Sequence, residues 1–201
     1  MAKIKLTKNE LKKQKDSLKM FKRYLPTLIL KKQQLQGEIR ITELRLKELA
    51  AERDNIYKVF VAWIAVFGET GIFTPDILKI TKVNTSLGNI AGVAIPVFES
   101  AEFSTALYDL FSMPLWLDQA VEKLKAMLLL DIEAKIVEEQ RSKLAHELKI
   151  TTQRVNLFEK VKIPETIGFI KKIQVYLGDQ QTSAVVRGKI AKAGLERTVK
   201  E

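Results

Sequence analysis

Two features of the sequence could carry chemistry: a single histidine, His146, and a Gly188-Lys189 pair of the kind found in phosphate-binding loops. A catalytic or metal-binding histidine needs convergent partner side chains, and a helix-surface position such as that of His146 does not supply them. Gly188-Lys189 is not followed by the Ser or Thr of a phosphate-binding loop, and no strand precedes it. The sequence therefore predicts no catalytic residue, no metal site, no cofactor and no enzymatic activity of its own.

The composition narrows the class of protein further. The chain has 201 residues, 46% of them hydrophobic, and no cysteine. Without cysteine there is no disulfide framework, so a reducing compartment is expected. The longest apolar run, residues 59–67, is far shorter than the ~20 residues of a membrane-spanning helix. We therefore expect a cytoplasmic protein without direct membrane insertion, which can still be a peripheral part of a membrane-bound complex.

The positive charge of the chain is concentrated at its two ends. The net charge is +10, and residues 1–35 carry eleven Lys or Arg against two acids, while residues 171–201 carry seven against three. Such an end can attract RNA, anionic lipid or an acidic protein surface, or it can simply be a solvated helix face. Because the basic residues are mostly Lys with few interleaved aromatics, the pattern disfavours nucleic acid and favours a protein partner.

Two long helical arms must position these charges. The first arm has apolar residues at alternating spacings of three and four, which is the seam of a coiled coil. The seam includes Leu11, Leu18, Phe21, Leu25, Leu28, Leu35, Ile39, Leu46, Leu49, Ile56, Phe60 and Trp63. A Thr7-x-x-Glu10 capping box predicts that the helix begins near residue 8. Pro26 predicts a bend or a one-turn break.

The second arm follows the same pattern after Pro114, with a predicted break at Ile163-Pro164 and a predicted stop at Gly178. Its seam includes Leu117, Val121, Leu124, Leu128, Ile132, Val137, Leu144, Leu148, Thr151, Val155, Phe158, Ile167, Ile170, Ile173 and Leu177. If the arms are antiparallel, paired positions sum to roughly 182, so Pro26 faces residue 156 or its neighbours. Between the arms, residues 77–83 and 93–98 predict two short strands, with turns from Val83 to Gly92.

The predicted fold is mainly α: a long antiparallel two-helix coiled-coil hairpin with a small central subdomain containing a short β-hairpin. The predicted segments are an N-terminal coiled-coil arm (1–67), the central subdomain (68–114), a C-terminal coiled-coil arm (115–178) and a basic C-terminal tail (179–201).

With this architecture, the chain resembles the D subunits of the bacterial and archaeal A/V-type rotary ATPases, which form the central-stalk shaft. The closest correspondence is the segment from Asn89 to Phe98, Asn-Ile-Ala-Gly-Val-Ala-Ile-Pro-Val-Phe, which is similar to the family's segment between two long helices. Arg154-Val155-Asn156, Ile163-Pro164 and the basic tail also match in order. The sequence departs from the family in the first helix, where the stretch 28–35 lacks the Arg-Asp pair of a Leu-Leu-Lys-x-Lys-Arg-Asp run. A divergent bacterial branch is indicated.

The resemblance implies a non-catalytic rotor shaft that couples ATP synthesis or hydrolysis in a head to proton or sodium ion transport through a membrane ring. It implies as partners the catalytic A and nucleotide-binding B subunits of the head, the F subunit of the stalk and a membrane-ring adaptor. The candidate head contacts, a bearing end, are Lys3, Lys5, Lys8, Lys12, Arg187, Lys189 and Lys192. The candidate partner residues of the central hairpin are Asn89, Ile90, Gly92, Val93, Ile95 and Pro96. The alternatives are a basic coiled-coil arm that binds RNA and a prefoldin-like chaperone.

Overall fold

Long helices flank a two-stranded sheet in the computed structural model, which describes residues 4–67, 77–105 and 116–198. Helix α1 covers Lys8–Phe67, strand β1 Leu78–Ile90 and strand β2 Val93–Thr105. Helix α2 covers Trp116–Asn156, a π-helical segment Leu157–Lys162 follows it, and helix α3 covers Ile163–Thr198. This mainly helical architecture with a long helical hairpin and a small antiparallel sheet confirms the predicted fold class. The division into four predicted segments stays a prediction.

By its internal contacts the chain separates into two compact units. We call residues Lys31–Ile150 the middle unit, and Met1–Leu30 together with Thr151–Glu201 the terminal unit. In the middle unit, α1 and α2 bury seam leucines that include Leu35, Leu49 and Leu144. In the terminal unit, Val155 and Ile173 are buried, and the rings of Phe21 and Phe158 lie 5.2 Å apart. These are seam positions of the sequence pattern, so apolar burial at a spacing of three and four holds each unit together.

The antiparallel register agrees with the predicted one to within about one helical turn. If the numbers of paired residues sum to 182, Arg45 should face residue 137, and in the structure it pairs with Glu133. By the same rule Phe21 should face residue 161, and in the structure it lies against Phe158. Side chains that reach along the helix axis account for offsets of this size.

Helix α1 begins where the capping box predicts. The backbone N–H of Glu10 donates to Thr7 Oγ1 at 3.3 Å, and that of Leu11 donates to the Thr7 carbonyl at 3.0 Å. The predicted one-turn break at Pro26 is wrong, because α1 is helical on both sides of it. A proline deletes a single N–H donor and leaves the hydrogen bonds of neighbouring turns intact, so a long helix can continue past it.

The predicted break at Ile163-Pro164 is replaced by a continuous helical path with a π-helical segment. In an α-helix the ring of Pro164 would collide with the carbonyl of Lys160, four residues earlier. Lys160 lies in the π-helical segment Leu157–Lys162, where the wider turn changes that spacing. The chain thus accommodates the proline without ending the helix.

The predicted stop at Gly178 is also wrong, since α3 continues to Thr198. A glycine that ends a helix adopts a positive φ, and Gly178 does not. Its carbonyl instead accepts the Thr182 hydroxyl at 3.1 Å within the helix. One glycine costs only ~1 kcal/mol within a helix, which is too little to end a helix of this length.

The sheet is longer than the sequence predicted, with 13 residues in each strand. Asn84 and Gly88, interpreted as turn residues, lie inside β1. The Asn84 side chain donates across the sheet to Ser100 Oγ and Glu102 Oε1, and Gly88 pairs with Ile95. The turn is confined to Ala91 and Gly92, which have φ values of 51° and 79°. Two positive φ angles give the tight connection that matches the twist of a two-stranded hairpin.

Candidate partner-binding site

A row of lysines follows one face of α1 in the terminal unit. The row, which we call the lysine row, is Lys8, Lys12, Lys15, Lys19 and Lys22, and all five are exposed. Their alternating spacing of four and three keeps them on one side of the helix over about 21 Å. Two of the predicted head-contact residues, Lys8 and Lys12, therefore belong to a longer continuous feature.

The lysine row has no acidic partner within the described part of the chain. None of its five members forms an ion pair there, and the nearby acids are few: Glu10 and Asp16 on α1, with Glu159, Glu165 and Asp179 on the opposite arm. Like charges three and four residues apart destabilise a helix by about 0.2–0.5 kcal/mol for each pair. Asp16 has the helical spacing of a neighbour to Lys12 and Lys19 but forms no ion pair with either of these described residues. A row of five lysines with so little opposing charge is a surface suited to an acidic partner.

The other predicted head contacts lie around this row and on α3. Lys5 is exposed just before α1, whereas Lys3 lies outside the described residues. Arg187, Lys189 and Lys192 are exposed on α3, where Lys189 and Lys192 share a face and Arg187 lies on another. The described side chains of residues 178–195 are all exposed, including the large apolar Val185, Val186 and Ile190. This part of α3 therefore packs against no hydrophobic core in the described part of the chain.

Several of the hairpin residues predicted to contact a partner are already buried or hydrogen-bonded within the chain. Ile95 is only 3% exposed and packs with Leu35 and Leu144, and Ile90 and Val93 pack against the same cluster. Asn89 supports the turn by accepting the Gly92 N–H on its side-chain oxygen at 2.9 Å. The Pro96 carbonyl accepts the Gln140 side-chain amide.

Sequence reasoning missed three ion pairs that join α1 to α2 in the described residues of the middle unit. Lys31 Nζ lies 2.7 Å from Glu147 Oε1, Arg45 Nη2 lies 2.7 Å from Glu133 Oε1, and Arg53 Nε lies 2.7 Å from Asp131 Oδ1. In each pair the cation is on α1 and the acid is on α2. The signal was present, because these acids occupy positions close to those that the register assigns to the cations.

Of these three cations, Arg45 forms ion pairs with two acids, Glu133 and Glu48. Hydrogen bonds to Glu133 and then to Glu48 raise its pKa above the usual arginine range. Since a raised pKa adds stability that is lost only as the pH rises through it, this contribution persists at every physiological pH. The ion pair therefore joins α1 to α2 without loss of the arginine charge in the physiological pH range.

Other chemistry is not supported by the described residues. His146 is exposed on α2, and no group of three metal-ligating side chains occurs among the residues that the structure describes. Of the helices described, none combines the length and the apolar character needed to cross a membrane.

Comparison with known proteins finds relatives over nearly the whole chain. A family described as the ATP synthase D subunit matches residues 10–193. The V-type ATP synthase D subunit of Borreliella burgdorferi is 54% identical over 195 residues, covering 97% of this chain and 96% of that protein. The protein of the same name from Chlamydia pneumoniae is 35% identical over 201 residues, covering 96% of this chain and 93% of that protein. The similarity extends across both helical arms and the hairpin.

Proposed function

This chain belongs to the ATP synthase D subunit family, and we propose that it is the central rotor shaft of a V-type ATP synthase. In this role it couples ATP synthesis or hydrolysis in the head mechanically to proton or sodium ion transport through the membrane ring. It performs no catalytic step itself. The observation that carries the proposal is the uncompensated lysine row on the unit that contains both chain termini.

The middle unit supports a role in transmitting torque. A shaft must resist sliding of one helix along the other, and the seam leucines and the three interhelical ion pairs oppose that movement. Each of these pairs has the cation on α1 and the acid on α2. A slipped register would therefore separate every pair at once.

The terminal unit supports a role as the rotating surface within the head. A shaft that turns inside a cavity needs attraction to the wall that is long-ranged and nearly independent of angle. Lysine provides this, because its ammonium is a point charge on a flexible stem and does not lock bidentately onto carboxylates as arginine does. Exposed charges also act over about 8–10 Å at physiological salt.

The proposed partners follow from this placement. The lysine row and the basic part of α3 would face the A and B subunits of the head, while the middle unit would meet the F subunit of the stalk and the membrane-ring adaptor. The chain would be a cytoplasmic, peripheral part of a membrane-bound complex. The departure from the family's Arg-Asp pair in the stretch 28–35 means that a contact made there in relatives is not assigned to this chain.

The proposal is tested by isolating the tagged chain from its native membranes at two salt concentrations and measuring which proteins accompany it. We expect the ATP synthase head subunits in a few-to-one ratio. A triple variant, Lys12→Glu with Lys15→Glu and Lys19→Glu, should lose most of the head, and its loss relative to the unmodified chain should be largest at low salt, where charge interactions are least screened. The matched control is Lys47→Glu with Lys58→Glu, two exposed lysines elsewhere on α1, and it should retain the head.

Recovery of RNA or ribosomal proteins without head subunits would contradict the shaft function and support the RNA-binding alternative. Equal head recovery with the triple variant and with the control would show that the lysine row is not the head contact. A bound nucleic acid would also be visible as a raised absorbance in the nucleic-acid band relative to the protein band.

A further inference from the structure

The tip of the β-hairpin is docked on both helices of the middle unit. Ile95, on β2 near the turn, packs with Leu35 of α1 and Leu144 of α2, and both leucines are 0% exposed. The Gln140 side chain of α2 adds a hydrogen bond to the Pro96 carbonyl. One strand thus touches α1 and α2 at a single level.

The base of the hairpin is docked separately. Ile77, which immediately precedes β1, is 5% exposed and packs with Leu117 and Val121 near the start of α2. The partly buried Trp116 packs against the same cluster. The hairpin is therefore attached at two distant places, and many of the strand residues between them are exposed.

The dimensions of the two elements match. From Leu78 to Ile90, β1 spans about 40 Å at ~3.3 Å per residue. From Leu117 to Leu144, α2 also spans about 40 Å at 1.5 Å per residue. Because its base meets the helix at one end of this span and its tip at the other, the hairpin extends alongside α2 between its two attachments.

The close approach of the strands near the tip depends on Gly88. A Cβ placed on Gly88 would lie 2.9 Å from Val97 Cγ2 and 3.4 Å from Ile95 Cγ1. Glycine at this position leaves room for the side chain of Ile95, which reaches the helices. The sequence is therefore adapted to the docked tip as well as to the turn.

We propose that the β-hairpin is an internal brace. By joining α1 and α2 at the level of Leu35 and Leu144 and returning to α2 at Leu117 and Val121, it fixes the register of the two helices and stiffens this segment against twisting. Sliding of α1 by one turn would move Leu35 about 5 Å away from its position under Ile95. The part of the proposal that concerns torque rests on the proposed shaft function, whereas the stiffening concerns the chain itself.

The brace adds to the buried seam because partly exposed ion pairs stabilise the register only weakly. The three pairs between α1 and α2 have side chains that are partly exposed, and such pairs contribute little in high-dielectric surroundings. A two-stranded hairpin is marginally stable alone, so its order in turn depends on its docking. The docked hairpin stabilises the register of the helices, and the helices stabilise the folded hairpin.

The experiment uses the full chain with Ile95→Ala and Gln140→Ala, which removes both the buried side chain and the hydrogen bond at the tip. Hydrogen exchange of the strand amides should accelerate at least about tenfold, as expected on losing a buried isoleucine contact. Helix spacing is followed by spin labels on Lys47→Cys and Lys135→Cys, which the absence of native cysteine makes specific. The distribution of distances between these labels should broaden in the released variant.

The matched control is Leu87→Ala, a truncation on the same hairpin at a side chain that is 85% exposed, and it should change neither measurement. Gln140→Ala alone serves as a milder release if the double variant folds poorly, which circular dichroism would show. Fast strand exchange with an unchanged distance distribution would overturn the brace, because the helices would keep their spacing without it. Unchanged strand exchange in both variants would also overturn it, since these contacts would not hold the tip.

In the assembled complex, the brace predicts wider angular fluctuations of a probe fixed to the shaft when the tip is released. Failure of the brace leaves the complex intact with head subunits bound. Failure of the proposed shaft function shows itself instead as absence of head subunits from the native preparation, whatever the spin labels report.

Discussion

The middle unit and the terminal unit use the same helical seam but treat charge in opposite ways. In the middle unit, Lys31, Arg45 and Arg53 each meet an acid on α2, and the hairpin covers part of the helices. In the terminal unit, the lysine row has no ion pair in the described part of the chain, and the described side chains of residues 178–195 are all exposed. The middle unit thus pairs several of its α1 cations with acids of α2, whereas the lysine row of the terminal unit forms no such pair among the described residues.

The contrast is what the proposed shaft function calls for, a stiff region and a region that binds. Groups paired within the chain add to its stability but are then occupied. Mutually repelling lysines lower the stability of the free chain and stay available to an acidic surface. Paired substitutions, one in each region, put this explanation to the test.

The largest effect is expected from the seam. Leu49 is 1% exposed in the middle unit, and Leu49→Ala should lower the free energy of unfolding by about 2–5 kcal/mol through lost burial and a cavity. Ile190 is 67% exposed on α3, and Ile190→Ala should change it by less than about 0.5 kcal/mol. Urea titration followed by circular dichroism measures both. Equal losses would show that α3 is packed in the free chain and would remove the contrast.

Replacing Gly92 and Gly178 by alanine should change the free energy of unfolding in opposite directions. Gly92 has a φ of 79°, and Gly92→Ala should destabilise the chain by about 1–2 kcal/mol because a Cβ is strained in that conformation. Gly178 lies within α3 with no atom within 4 Å of an added Cβ, and Gly178→Ala should stabilise the chain by about 0.5–1 kcal/mol. Thermal unfolding of the two variants checks the pair. A destabilising Gly178→Ala would indicate that the helix does not continue through this position.

The smallest effect tests the charges directly. Lys15 has Lys12 and Lys19 as helical neighbours, so Lys15→Glu should stabilise the free chain by about 0.5–1 kcal/mol. Lys47 follows Glu43 by four residues, so Lys47→Glu should destabilise it by about 0.5 kcal/mol. Unfolding at low salt and at about 1 M salt measures both, and both effects should shrink with salt. Effects of the same sign at the two positions would mean that the lysine row is already compensated within the chain.

Sequence reasoning went furthest where a local rule decides the structure. The seam spacing predicted Leu35, Leu49, Leu144 and Ile173 as core residues, and the capping box predicted where α1 begins, since both rules depend on residues three or four apart. The resemblance to the family of D subunits is confirmed by the full-length similarity. The individual head-contact and hairpin-contact residues stay predictions.

It went wrong where two local signals competed or where distant contacts decided. Asn84 and Gly88 carry turn propensity, yet pairing with Ser100 and Ile95 across the sheet keeps them in β1. Pro164 carries a stop signal, yet a π-helical segment carries the chain past it. Gly178 carries another, yet its cost of ~1 kcal/mol is too small to end a long helix.

Periodicity and composition were enough to specify the helical arms, their antiparallel register to within about a turn, and the placement of positive charge at the chain ends. These properties follow from signals that act along the chain. Tertiary contacts were needed to settle that Ile95 rests between Leu35 and Leu144, that α1 cations meet α2 acids, and that the lysine row meets none among the described residues. Such outcomes depend on which residues become neighbours from distant parts of the sequence, and the predicted register locates those neighbours only to within about one helical turn.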